Sequence, residues 1–378
     1  MKKLLMVMLS FVFTMSLNVV PVHADSINDE LGGEIDFAEA IYDENGGRIL
    51  DASELIPDEE LLSQPHDVDL PLARADWNMV TKNLSTGTLS FFYFDQSTMT
   101  STSTRASSSQ SNVKTYVDEF GNVSLYTEPY IPADASVGAG ARGIIGEDER
   151  TKVDNPTQWP YRATGYLRMT YRNVLNTVTG NYVTRTYRGT AFLEGPNLMV
   201  SAGHCLYGDV TNDGDYQDNL FNPRFPDEIT YYPARNGSQT PYASVAVTEI
   251  HLEKSYYTNC EKDWGCCTLA TNIGNSTGWY GKISNYYVSG KQVNTWGYPS
   301  TKGYEMWKAT GTLTAFESNG IYYRYNMDTE GGQSGSPVRV DLDTGSYVCG
   351  IHTYSTGSYN GGPRIDSFMF AYLNSFVV

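Results

Sequence analysis

The sequence predicts an all-β protein: two antiparallel barrels packed together, with a cleft between them, preceded by an acidic leader. Three observations carry this expectation. Residues 143–378 are built of many short runs rich in Val, Ile, Tyr, Thr and Phe, punctuated by Gly, Asn, Asp and Pro, the pattern of strands joined by turns. No long stretch shows helical period. The chain also carries 29 tyrosines, a residue that suits half-buried strand faces.

The elements follow in order. Lys2 and Lys3 precede an almost wholly apolar stretch from Leu4 to Val20, and Val22-His23-Ala24 supplies small residues at the positions a signal peptidase reads. Residues 1–24 therefore read as an export signal cut after Ala24. No other segment is apolar for long enough to span a bilayer. The expectation is a secreted protein with no membrane association once the signal is removed.

Residues 25–142 hold most of the negative charge, with 21 acidic and 6 basic side chains against 22 and 18 in residues 143–378. The formal charge of −17 argues against a nucleic-acid partner, which requires a basic face. The Ser/Thr-rich tract 97–112 cannot bury enough surface to fold alone. Alternating runs follow at 114–117 and 123–127, and then the small-residue link Gly138-Ala139-Gly140-Ala141-Arg142. The reading is a propeptide, 25–142, cut after Arg142. The alternatives are an N-terminal domain joined permanently, or a wall-associated acidic structural protein resting on this half alone.

From residue 143 onward, strands are predicted at 182–187, 191–193, 198–201, 229–232, 244–251, 264–269, 282–288, 292–295, 320–325, 337–340 and 347–352. All five cysteines (Cys205, Cys260, Cys266, Cys267, Cys349) lie in this part. An exported protein should oxidise some of them, and the odd count leaves at least one thiol over. Cys266 and Cys267 are neighbours that would face opposite sides of a strand; Cys260 is expected to close a short loop with one of them.

The chemistry is concentrated in three motifs. In Gly331-Gly332-Gln333-Ser334-Gly335-Ser336-Pro337 a serine stands between glycines, on a turn where backbone N–H groups converge. That is what acyl transfer needs: a nucleophilic hydroxyl, Ser334, beside donors for an oxyanion, the N–H groups of Gly332 and Ser334. Ser336 is the alternative nucleophile, set back by Pro337. Ser201-Ala202-Gly203-His204-Cys205 offers a base, His204, at a strand end; the other histidines after residue 142 are His251 and His352. Asp263, in Asp263-Trp264-Gly265, lies before an apolar run and would orient the imidazole; Glu261 competes for that role. The order His, Asp, Ser belongs to one of the several unrelated scaffolds that carry this triad.

These motifs, together with Ile144-Ile145-Gly146-Glu147-Asp148-Glu149-Arg150-Thr151 and Gly350-Ile351-His352, resemble the bacterial glutamyl endopeptidases, secreted serine proteases of chymotrypsin-like fold. The resemblance covers residues 143–378 and implies two six-stranded antiparallel barrels, a mature chain beginning near Gly143, and cleavage of protein or peptide substrates after Glu and, less well, Asp. It implies that His352 and Thr329 bind the substrate carboxylate, an imidazolium and a hydroxyl both donating to it. It implies no cofactor and a monomer whose only protein partners are its substrates and its own propeptide.

Two residues, Glu330 and Gln333, depart from the pattern, and a third, Asp328, raises a rival specificity. Asp328, six before Ser334, stands where trypsin-like enzymes keep the aspartate that binds Arg or Lys, and offers a rival specificity. Glu330 replaces a hydroxyl or aromatic residue. Gln333 replaces the aspartate that captures a new N-terminus in trypsin-like zymogens, so activation cannot use that ion pair, and Arg142 before the cut implies another processing protease or an atypical self-cleavage. Asp209 to Asp218 resembles a calcium loop in its acid spacing, but Leu220 stands where an EF-hand closes with Glu. A non-catalytic secreted binding module on the same scaffold is the reading from a different class.

Overall fold

The computed structural model describes residues 41–42, 48–51, 77–96, 112–134, 148–175, 180–209, 223–257, 262–317, 322–355 and 359–376. The predicted signal segment, the cut site at Arg142, Cys260, Glu261 and residues 210–218 of the acidic loop lie outside them.

The N-terminal half contributes a short antiparallel pair, Ile41–Tyr42 with Arg48–Asp51, whose second strand also runs parallel to Thr186–Arg188, and two hairpins, β1 (Met79–Asn83) with β2 (Leu89–Phe92) and β3 (Val113–Val117) with β4 (Val123–Thr127). Six strands then close a barrel: β5 (Thr164–Leu175), β6 (Tyr182–Leu193), β7 (Leu198–Ser201), β8 (Glu228–Pro233), β9 (Val245–Glu253) and β10 (Gly265–Leu269). Each pairs antiparallel with its neighbours in the order 5-6-7-10-9-8, and β8 returns to β5. β6 runs through both predicted segments 182–187 and 191–193, and its partner β5 was not predicted. β5 and β6 form one long hairpin with a bulge between Tyr171 and Val174, where Asn173 takes a positive φ of 55° that asparagine tolerates better than most residues.

The second sheet is built from β11 (Gln292–Gly297), β12 (Trp307–Glu317), β13 (Tyr322–Tyr325), β14 (Pro337–Leu342), β15 (Gly345–Ile351) and β16 (Asn360–Pro363), in the order 15-14-11-12-13-16. Its ends meet through an isolated bridge, Gly350 with Arg364, supported by Ile365 N–H donating to Cys349 O at 2.9 Å. It curls toward a barrel without being sealed by a continuous ladder, which is less than the second closed barrel the sequence led us to expect. A helix that was also not expected, α1 (Ser367–Asn374), follows; Asp366 caps it by accepting from Met369 N–H at 2.8 Å. Eight residues are too few to display helical period.

Three apolar cores result from the strand alternation. Leu167, Met169, Tyr231, Ile250 and Cys267 are among those filling the first barrel. Val293, Leu313, Tyr325, Val338 and Tyr347 help fill the second sheet. Between them, Phe192, Val200 and Cys266 from the first barrel meet Trp296, Tyr298, Val348 and the buried face of α1. The expected loop closure from Cys260 is not found: Cys266 and Cys267 are free, fully buried thiols facing different cores. A side chain committed to the interior of a paired strand is not available to a surface loop.

Candidate active site

His204 lies in a four-residue helical turn, Gly203–Leu206, directly after β7. The turn is pinned from both sides. Ser201 Oγ donates to Thr190 O at 2.8 Å, and a Cβ at Gly203 would sit 3.0 Å from Asp263 Oδ1 and 3.1 Å from Trp264 N, a tight fit that favours glycine. Asp263, at the start of β10, takes two hydrogen bonds from the same residue: His204 N–H to Oδ1 at 2.8 Å, and a 2.7 Å contact between Oδ2 and His204 Nδ1. Behind it, Trp264 is fully buried and donates through Nε1 to Glu253 at 2.8 Å.

Both members of the pair are buried, His204 1% and Asp263 7% exposed. Burial is the largest influence and works against the imidazolium, yet the Asp263 carboxylate and, behind it, the neighbouring Cys205 together outweigh it and raise His204 well above the ordinary imidazole range. With Nδ1 engaged, Nε2 is the ring atom left over, buried and without a hydrogen-bond partner.

The Ser334 turn is laid against the same elements. Thr190 of β6 donates from its N–H to Ser334 O and from Oγ1 to Gly332 O, both at 2.9 Å. Gly335 has φ of 88° and approaches the first barrel so closely that a Cβ would lie 2.1 Å from Thr190 O and 2.3 Å from Ser201 Oγ; no other residue fits. Cys205 Sγ, next to His204, is 3.9 Å from Ser334 O. These contacts set the serine turn beside the histidine turn. No hydrogen bond joins the Ser334 hydroxyl to His204 Nε2 here; such bonds often tighten only when substrate arrives. The Ser334 N–H has no partner among the described residues. Ser336 is fully buried, its Oγ within 2.1 Å of where a Gly297 Cβ would be.

The remaining predicted residues gather on the other side of the turn. His352 follows β15 and is locked to the serine turn by Gly335 N–H to His352 O at 2.7 Å and His352 N–H to Ser336 O at 2.9 Å. Its Nδ1 lies 2.7 Å from the Tyr325 hydroxyl, which also lies 3.0 Å from Gly361 O. Burial, with the nearby charge of His204 second, pushes His352 down to about 3. That direction favours a neutral His352 ring over the imidazolium that the resemblance implies. Thr329 Oγ1 is buried and has no partner.

Asp328, Glu330 and Gln333 each have a structural place. Asp328 Oδ2 accepts the Glu149 N–H at 3.0 Å. The Glu330 carboxylate is taken up by Ser300 Oγ at 2.9 Å, by Thr301 and by Arg150 at 2.6 Å. Gln333 Oε1 accepts from Glu330 N–H at 3.0 Å and from Arg150 at 3.3 Å. Sequence reasoning missed Thr190, Tyr325 and Arg150. Only Arg150 left a signal, as the one cation in the Glu147–Thr151 stretch facing an unexpected Glu330 and an uncharged Gln333.

Across known proteins, the chain is 36% identical over 233 residues to a protein named extracellular metalloprotease from Bacillus subtilis (strain 168), spanning 60% of this chain and 67% of that one. It is 31% identical over 240 residues to the glutamyl endopeptidase of Bacillus licheniformis, spanning 61% and 67%. A solved Glu endopeptidase in complex with MPD matches with a TM-score of 0.47 at 25% identity, over 62% of this chain and 98% of that one. No family model matches. The first relative's name invokes a metal; among the described residues no three His, Cys, Asp or Glu side chains converge as a metal-binding group. The chain is a peptidase acting on proteins or peptides, and its sequence match to a glutamyl endopeptidase over two thirds of that protein, carried on a closed six-stranded antiparallel barrel, makes it a member of the glutamyl endopeptidase family of chymotrypsin-like serine proteases.

Proposed function

We propose that the chain is a secreted serine endopeptidase that hydrolyses peptide bonds after Glu and, less well, after Asp. The observation that carries the chemistry is the His204–Asp263 pair, with Nε2 bare, set beside the Ser334 turn. Ser334 Oγ attacks the scissile carbonyl as His204 Nε2 takes its proton. The oxyanion is held by the N–H groups of Gly332 and Ser334. His204 then gives the proton to the leaving amine, and water repeats the sequence to release the acid and free Ser334.

Specificity rests on neutral donors. One Tyr325 proton faces two acceptors, and the shorter contact is to His352 Nδ1. When Tyr325 donates there, the neutral ring keeps its proton on Nε2, which, with the unpartnered Thr329 hydroxyl, offers donors to a carboxylate. Asp328, its Oδ2 accepting a backbone N–H, is the weaker candidate for reading the substrate, which disfavours the Arg/Lys alternative. Peptides ending in Glu, Asp, Arg or Phe before a chromogenic group test this: the rate should be highest on Glu, and a maximum on Arg would reject the pocket. His352→Leu should cost the Glu substrate about 1.5–3 kcal/mol, or roughly 10- to 200-fold in kcat/KM, while leaving a Phe substrate little changed.

Processing is read as removal of residues 1–24 and then a cut after Arg142, giving a particle with a single catalytic chain that begins at Gly143. The Arg150 guanidinium, 9% exposed, takes the place of the missing zymogen ion pair by tying residues 148–150 to Glu330 and Gln333. Arg150→Gln should lower kcat by on the order of 10² if the serine turn shifts by about 1 Å, with KM less affected; Arg150→Lys should recover part of the loss. Unaltered kinetics in Arg150→Gln would remove this role. Calcium at Asp209–Asp218 stays a proposal, tested by whether a chelator lowers the melting temperature.

A further inference from the structure

Besides the short parallel contact of Ile49–Asp51 with Thr186–Arg188, residues 77–134 of the leader grip the catalytic part on two separate faces. On the first, β1 adds to the outer edge of β9 over five residues, from Met79 opposite Glu253 to Asn83 opposite Glu249. The ladder is extended at both ends by Lys254 N–H to Asn78 O at 2.8 Å and Leu84 N–H to Thr248 O at 2.9 Å. Trp77, Met79 and Val80 are no more than 2% exposed. Trp77 and Val80 lie in the core of the first barrel and Met79 in the core shared by the two sheets. Phe94 packs edge-on against Phe368 and Tyr372 of α1, at 5.6 and 5.0 Å.

The second face lies along residues 277–286. Leu125 and Ser284 exchange hydrogen bonds at 2.8 and 3.1 Å. Tyr126 is buried against Tyr347 at 4.9 Å, Tyr130 stacks on Trp279 at 4.3 Å, and Asp134 meets the buried Arg162 at 3.0 Å. None of His204, Asp263, Ser334, Thr329 or His352 makes a hydrogen bond or ion pair to residues 77–134 among the described residues.

We propose that residues 77–134 are a clasp, not a plug: they bridge the two sheets away from the cleft and stay bound as a separate chain after the cut at Arg142, so that the processed enzyme is a noncovalent two-chain particle. This rests on the processing read above. Among the described residues, none of the contacts above includes the residues at the cut. A catalytic part stripped of the clasp would expose an unpaired strand edge, which invites association with other chains, and would leave the sites of three fully buried side chains empty.

The test uses the full chain with residues 136–142 replaced by the recognition site of a sequence-specific protease and an affinity tag ahead of residue 25. After cutting, a denaturing gel should show two pieces, while gel filtration and native mass measurement in native buffer should show one particle holding both. The tag should retain the catalytic piece through dilution to micromolar concentration and release it only in denaturant. Separation of the pieces in native buffer would overturn the clasp. A bound leader that suppresses peptide hydrolysis until it is removed would overturn the open cleft. Because the cut is imposed and its result is read by mass, this outcome is independent of where the natural mature chain begins, which N-terminal sequencing of the secreted protein decides.

Discussion

Ser334→Ala is expected to lower hydrolysis of a Glu-containing peptide by on the order of 10⁶ in kcat, the scale seen when a triad nucleophile is removed. The change deletes one oxygen and nothing that holds the turn in place. Thr190 N–H still bonds the residue-334 carbonyl, Thr190 Oγ1 still bonds Gly332 O, and Gly335 N–H still bonds His352 O. Fold and substrate binding should therefore survive, with tertiary circular dichroism and KM close to those of the unaltered protein. The small remaining rate would come from the oxyanion donors and binding alone. A serine-directed fluorophosphonate should label the unaltered chain once and the variant not at all. Absence of labelling in the unaltered chain would favour a binding module, and full activity in the variant would shift the nucleophile elsewhere. Ser336 is a poor substitute, since its hydroxyl is buried against Gly297.

Much of this site could be read from the chain because its chemistry is local. A base at a strand end and a serine in a glycine turn are short motifs, and β7 spans the predicted 198–201. The strands β8, β9, β14 and β15 fall within a few residues of their predicted limits, because one-face burial writes an alternating pattern. What was not legible depends on residues brought together from afar. Tyr325 reaches His352 from 27 positions away, and nothing in its own surroundings distinguishes it from the other tyrosines. Arg150 meets Gln333 across 183 positions. Composition also gave no sign that Trp77, Met79 and Val80 of the acidic leader are buried, because the barrel edge supplies their partner. The disulfide expectation failed for the reverse reason: cysteine spacing carries no information on which core a side chain enters.

Asp263→Asn separates the orienting role from mere packing. The carboxylate accepts at both oxygens, from the His204 backbone N–H at 2.8 Å and from the ring at 2.7 Å. An asparagine of the same shape has one acceptor and one donor. If its oxygen keeps the backbone N–H, its amide donates toward Nδ1, which must then carry the lone pair, and the proton moves to Nε2. The nitrogen that has to receive the Ser334 proton is thereby blocked. A loss on the order of 10⁴ in kcat is expected from this wrong tautomer with the geometry otherwise intact. The pH profile supplies the sign. Asp263 is the first of the two neighbours, with Cys205, that lift His204 above its ordinary range against burial, so in the variant burial is left less opposed and the histidine titrates lower. The acid limb of kcat/KM, which reports the free enzyme's base, should move to lower pH. A structural role alone predicts a lower melting temperature and an unmoved limb. A limb that stays in place while the rate falls would show that Asp263 is not the group that sets the charge of His204.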